Sequence, residues 1–517
     1  MQLLDHSLQF ERLAGALTAY RATADESRLL SFATSVRQSG GRFVALWGSD
    51  ERDRSVNGAG FALHVAFGIS EGLAVVTLPL PADDPEYPDL AEIFPAANRL
   101  QRATYDLLGI RAHSEDQRPW LRHANWPADY FPLRRDTDPT RQFETHNEEY
   151  AFVRVEGDGV HEIPVGPIHA GIIEPGHFRF SIVGERVLRL EQRLGWVHKG
   201  IEKRFEQLPL SDGHKLAGRV SGDTSVAFAW AYSLAVESLS GCAPPPRALW
   251  LRALFLERER IANHLGDLGY LGNDAALSFG LSQFLRLKED WLRLSNRLFG
   301  HRYLMDRIVP GGVACDLPAD GSALILAQCD DIEREVRIVK DIYDEHAGLQ
   351  DRFLTTGRLD PVLAGVLSIS GLAGRASSQT WDLRSQNAIA PYDQLDPQIT
   401  THRNGDVAAR VAVRFEEVFE SLRLIRRIVT QLPAGELLAA LPQPPDGAFA
   451  VGWIEGWRGD VLVALEAGPD GSIRRCHCHD ASTRIWPALE HAVMGNIVPD
   501  FPLINKSFNL SYSGQDL

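Results

Sequence analysis

The sequence predicts an α+β fold: a small unit mixing helix and strand, then a larger, mainly helical unit with small β-sheets at its start and near its C-terminus. Three observations predict it. The chain has 517 residues, too many for one ordinary hydrophobic core. Short β-rich runs bounded by Gly, Asp and Pro crowd into the first ~125 residues. Beyond them, two segments of roughly 25 residues carry apolar positions at helical spacing.

In chain order, "ERLAGALTAYRA" has a helical period, and "RFVALWGSD", "FALHVAFGI" and "LAVVTLPL" read as strands, which makes residues 1–125 an α/β domain. The polar, Pro-rich stretch "NWPADYFPLRRDTDPTRQFETHNEEY" reads as a connection, so 126–150 is taken as a linker and 151–517 as a second domain. That domain opens with strand-like pieces, "YAFVRVEGDGVHEIPVG" and "HFRFSIVGERVLRLEQRLG". The helix "APPPRALWLRALFLERERIANHLGDLG" is expected to start at its proline cluster and to stop at Gly266 or Gly269. One of its faces carries Glu257, Arg260 and His264, which suits either a solvated face or a buried ion-pair network. A second helix, "DVAARVAVRFEEVFESLRLIRRIVTQL", places Val411, Phe415, Val418, Leu422, Ile425 and Val429 on a core-facing stripe. "ALPQPPDGAF" is a turn before the strands of "AVGWIEGWRGDVLVALEAG".

A net charge of −15 argues against nucleic acid as a partner, since a phosphate backbone would be repelled. "MQLLDHSLQFERLAG" lacks the basic start and apolar core of a signal peptide, and no run approaches the ~18–20 apolar residues needed to span a bilayer. The expectation is a cytoplasmic chain without a transmembrane segment of its own. The five cysteines are scattered and form no disulfide framework. Only Cys476 and Cys478, in "CHCH", are dense enough to suggest a metal, but on a strand at most two of the four side chains face one ion, so they are read as ordinary strand residues.

Longer motifs point to a family. "TYDLLGIRAHSEDQRPWLRHANWPADYFPLR" resembles the signature of the 30-kDa-type subunit of complex I. "VGPIHAGIIEPGHFRFSIVGERVLRLEQRLGWVHKGIEKRFE" resembles the start of the 49-kDa-type subunit and of the large subunit of group 4 membrane-bound NiFe hydrogenases. "RIVPGGV", "WDLRSQNAIAPYD" and "WPALEHAVMGNIVPDFPLINKSFNLSYSG" continue the likeness, the last most similar to the hydrogenlyase and hydrogenase-4 component G branch. The resemblance implies a fused 30-kDa/49-kDa-type architecture over nearly the whole chain.

In the hydrogenases of that family four thiolates hold the metals, in R-x-C-G-x-C and D-P-C-x-x-C motifs. Laid on this chain, the thiolate positions fall on Ser221, Thr224, Ser511 and Gly514. Hydroxyls are far weaker acids than thiols, so the resemblance implies a vacated site and no metal. In the complex I branch the same space heads a quinone cavity. By that likeness His169, His177 and Arg219 are candidates to line a quinone-like cavity, although the tyrosine that pairs with the histidine falls near Gly222. Glu202 in "HKGIEK" matches a proton-transfer glutamate. With His177 and with Asp223 inside the emptied loop, it is the candidate set for proton handling.

The resemblance implies a core large subunit of a membrane-associated complex I-like oxidoreductase that has lost the NiFe centre and couples electron transfer to ion translocation. Alternatives are a quinone-reducing C/D-type subunit of an NADH-quinone dehydrogenase, and a non-catalytic scaffold. No cofactor is expected on this chain beyond a quinone in the cavity, and no Gly-rich dinucleotide fingerprint follows a strand. Expected partners are a small iron–sulfur subunit that holds a 4Fe–4S cluster and a membrane arm of antiporter-like and quinone-module-like subunits. The implied place is peripheral, on the cytoplasmic side of the cytoplasmic membrane.

Overall fold

A computed structural model describes residues 8–54, 59–123, 126–138, 140–144, 149–169 and 173–517. Its N-terminal part is a five-stranded sheet, in the order Glu11–Arg12, Ala19–Thr23, Gly72–Pro81, Ala59–Ile69, Arg42–Asp50. All pairings are antiparallel except Ala19–Thr23 with Gly72–Pro81. Arg42–Asp50 is buried at every position, its polar ends included, as a strand covered on both faces should be. The helix Glu26–Gln38 starts where the Asp25 side chain accepts from the Arg28 amide, and turns Leu29, Phe32, Ala33 and Val36 inward.

The segment expected to be the first helix, residues 11–22, instead forms two short strands around a turn at Gly15, where φ is +108°. Its backbone completes the sheet by pairing with Gly72–Pro81. Ladder bonds to a neighbouring strand outweigh a weak local period.

The larger part is built on five long helices: Ser225–Ser240, Pro246–Asp274, Ser278–Phe299, Gly321–Glu345 and Val407–Gln431. All six residues of the predicted Val411–Val429 stripe are buried. The Pro246–Asp274 helix does begin at the proline cluster, but it runs through Gly266 and Gly269 instead of stopping there. These glycines serve packing: a Cβ on Gly269 would stand 3.1 Å from the Phe284 Cβ of the neighbouring helix.

Two antiparallel sheets flank the helices: Val160–Val165, His177–Val183 and Arg186–Arg193 near the start, and Phe449–Glu455, Asp460–Ala467 and Ile473–His479 near the end. Ser225–Ser240 lies so close to the latter that a Cβ on Gly452 would sit 1.8 Å from the Ala231 carbonyl oxygen. The N-terminal sheet docks on the same C-terminal region. Trp47 is stacked between His64 and His477, with ring centroids 5.3 and 4.9 Å away, and Arg475 and Arg484 donate to the Gly48 and Phe43 carbonyls. One continuous apolar core therefore runs through both parts. Among the described residues no helix is long and apolar enough to cross a membrane.

Candidate functional site

Three separate segments meet at the site. The first is the loop before the Ser225–Ser240 helix, which carries Ser221, Asp223 and Thr224. The second is the turn after Phe508, where Asn509 takes a left-handed conformation and Ser511 caps the short helix Tyr512–Asp516. The third is the tight turn between Phe449–Glu455 and Asp460–Ala467, which delivers Arg458.

All four positions matched to thiolates converge here. The Ser221 and Ser511 hydroxyls are 3.0 Å apart. Ser221 Oγ also donates to Asp223 Oδ1 (2.7 Å), Thr224 Oγ1 donates to the same oxygen (3.2 Å), and Ser511 Oγ accepts from the Gly514 amide (2.8 Å). At Gly514 a Cβ would meet Asp480 Oδ2 at 2.7 Å, so a carboxylate stands where a side chain of residue 514 would go.

Arg458 ties the cluster together. Its guanidinium donates to Asp223 Oδ1 (3.0 Å) and Thr224 Oγ1 (3.1 Å), and closely to Asp223 Oδ2 and the Asn509 carbonyl. Trp457 Nε1 and Asn263 Nδ2 each hold the Asp223 carbonyl at 2.8 Å. Burial alone would raise the Asp223 carboxyl, but Arg458 beside it outweighs that and brings it down to about 2. Asp480, lacking so close a cation, is raised by its burial. Hydroxyls, a paired aspartate and a bare backbone are a hard, oxygen-only set that does not suit nickel and iron held by thiolates. Among the described residues, no three His, Cys, Asp or Glu are grouped as a metal site requires.

The structure separates the residues proposed from the sequence. Asp223 is central. Arg219 points elsewhere: it forms a bidentate pair with Asp306 at 2.7 and 2.8 Å and is half-exposed, so it does not line the cluster. Glu202 is buried against the C-terminal sheet, its oxygens 2.5 Å from His477 Nδ1 and 3.1 Å from Arg475 Nη2. There it lines a cavity of about 40 Å³ between the two parts of the chain, along with Trp47, His477 and Asp516.

The two hairpin histidines hold their own loop. His169 Nε2 bonds the Gly176 carbonyl (2.7 Å) and His177 Nδ1 the Gly166 carbonyl (3.1 Å). Since a carbonyl only accepts, His177 must carry its proton on Nδ1, and its Nε2 faces the Arg179 Nε–H at 3.4 Å. Burial lowers its pKa, and its Nδ1 proton is engaged by the Gly166 carbonyl. The loop reaches the site through Glu174 instead, whose Oε2 accepts from Ser513 N and Oγ, both at 3.2 Å. Residues 170–172, between the two histidines, lie outside the described residues.

Family models match in two places: residues 22–143 fit the respiratory-chain NADH dehydrogenase 30 Kd subunit, and residues 274–446 the 49 Kd subunit. Formate hydrogenlyase subunit 5 of Escherichia coli is 32% identical, over 93% of this chain and 85% of its own length. The chain belongs to the family of fused 30-kDa/49-kDa complex I-type subunits. Hydrogenase-4 component G of the same organism is 31% identical over 93% of this chain and 84% of its own. The fused C/D protein of an NADH-quinone oxidoreductase from Bacteroides thetaiotaomicron is 25% identical over 88% and 90%. The fold also matches a chain of the membrane-bound sulfane sulfur reductase, an archaeal respiratory membrane complex, with a TM-score of 0.66 and 24% identity over 69% of this chain and 99% of that one.

In this member of the family the face left open between solvent and core, Glu257–Arg260–His264, is wholly buried. Glu257 meets Arg384 (3.2 Å), Tyr392 (2.6 Å) and Ser421 (2.6 Å); His264 meets Glu417 (2.8 Å), which Arg375 also holds (2.7 Å). Arg375 continues to Glu455 at 2.8 Å, and Arg260 grips the Glu455 and Gly456 carbonyls. The network thereby braces the turn that presents Arg458. Sequence reasoning missed Arg458, Glu174 and Asp480. A lone arginine in "GWRGD", between two apolar strands, was the available signal for the first.

Proposed function

We propose that this chain is the core large subunit of a membrane-associated, complex I-like and hydrogenase-related complex, that its NiFe centre has been lost, and that it couples electrons arriving from a partner iron–sulfur subunit to ion translocation. The observation carrying this reading is the replacement of four converging thiolate positions by Ser221, Thr224, Ser511 and Gly514, with the Ser221 and Ser511 hydroxyls in contact and the Asp223–Arg458 pair between the loops. Electrons reaching a neighbouring cluster would add negative charge next to this set. An arginine–aspartate pair with hydroxyls around it can meet that charge by shifting hydrogen-bonded protons. Asp223 and Glu174 are its carboxylates at the former ligand loops, and residues 126–150 are its connection between domains.

The quinone-reducing alternative is favoured by the C/D-type relative and by room beside Gly222, where a Cβ would meet nothing within 4 Å. It is disfavoured by His177, whose Nδ1 proton is spent on a carbonyl.

The deciding experiment is to purify the native complex and measure nickel per chain together with hydrogen evolution from a reduced dye. Nickel far below one atom per chain and no hydrogen are expected. Stoichiometric nickel would overturn the proposal.

A further inference from the structure

Asp223, Glu202, Glu257 and Glu417 each stand against an arginine. Glu259 does not. It is buried on the Pro246–Asp274 helix at 8% exposure, and among the described residues its carboxylate accepts only from two backbone amides, Val226 N at 2.7 Å and Ala227 N at 3.3 Å. It is nevertheless tied to the site. Asn263, one turn along, donates both to the Glu259 carbonyl (2.9 Å) and to the Asp223 carbonyl (2.8 Å). A cavity of about 10 Å³ adjoins both residues, lined in part by Gly222, Asp223, Glu259, Asn263, Arg302 and Tyr303. That is room for about one water. Tyr303 is 40% exposed, so solvent lies just beyond.

We propose that Glu259 exchanges protons between solvent at Tyr303 and the Asp223–Arg458 pair, through a water held in this cavity. The inference rests on reading that pair as part of a proton-handling site. One proton leaves water, binds a Glu259 oxygen, and passes on when negative charge builds at the pair; only O–H bonds are made and broken.

The electrostatics agree. Burial pushes the Glu259 carboxyl up to about 8; the Val226 and Ala227 amides pull it back in part, Asp223 adds to the rise and Arg260 offsets a little. Arg258, Arg302 and Tyr303 are the remaining charged or titratable groups around the cavity. A carboxyl in that range holds its proton at neutral pH and gives it up at modest cost, which the arginine-paired carboxylates cannot do.

The test is an infrared titration of the purified full-length chain, wild type against Glu259→Gln, which keeps the shape of the protonated side chain. The difference spectrum is expected to contain a protonated-carboxyl band at about pH 6 that fades between about pH 7 and about pH 9. A difference spectrum without that band at any pH in the window means Glu259 is ionised throughout, and overturns the proposal. Gly222→Val adds branches at a residue on the cavity's lining, where a Cβ has open space around it. It is expected to slow hydrogen–deuterium exchange of the same band severalfold; unchanged exchange would remove the water route. Both readouts use the isolated chain, so their failure is distinct from a failure of the complex to lack nickel or move ions.

Discussion

At Glu202, burial would raise the carboxyl, yet Arg475 and His477 together bring it down to about 2. Its folded value lies below the ordinary 4.5, so the stability it contributes is present above pH 4.5 and is lost as pH falls towards 2. Glu202→Gln is expected to cost about 3 kcal/mol at neutral pH and to flatten the acid limb of a stability-against-pH curve. A melt series from pH 7 downward checks both. This residue also marks where sequence reading stops at this scale. Its motif singled it out, but its partners lie more than 270 residues away, at Arg475 and His477. Arg219 is a candidate through the motif it shares with Ser221, while the arginine that holds Asp223, Arg458, lies 235 residues away. Proximity along a chain is a poor guide to where a guanidinium on a long side chain ends up.

Elements were more legible than contacts, because periodicity is a local property. The Val411–Val429 stripe and the strand runs of the N-terminal sheet could be read directly. Residues 11–22 could not, since their pairing partner sits some 50 residues on, and Gly266 and Gly269 looked like helix ends although they are contact points. The same contact logic yields a prediction at Gly452. The Ser225–Ser240 helix seats against this strand only because no Cβ intervenes, so Gly452→Ala must push the helix off the sheet. A loss of roughly 1–3 kcal/mol is expected, measurable by denaturant midpoint, with faster amide exchange along the helix than in the distant Gly321–Glu345 helix. Since that helix begins one residue after Thr224, the displacement would reach the site itself.

For the molecule as a whole, Trp47 is the piece shared by both parts, lying between His64 of its own sheet and His477 of the other. It is 3% exposed, so Trp47→Ala would leave a large void on the seam. About 3–5 kcal/mol of destabilisation is expected, with protease cutting in 126–150 preceding any cutting of the long helices. Equal cutting of both would argue against a seam that opens first.

The hydroxyl contact between Ser221 and Ser511 joins points 290 residues apart using protein atoms alone. A corner fastened across so long a stretch of chain closes late in folding, after the segments between its two loops have taken shape.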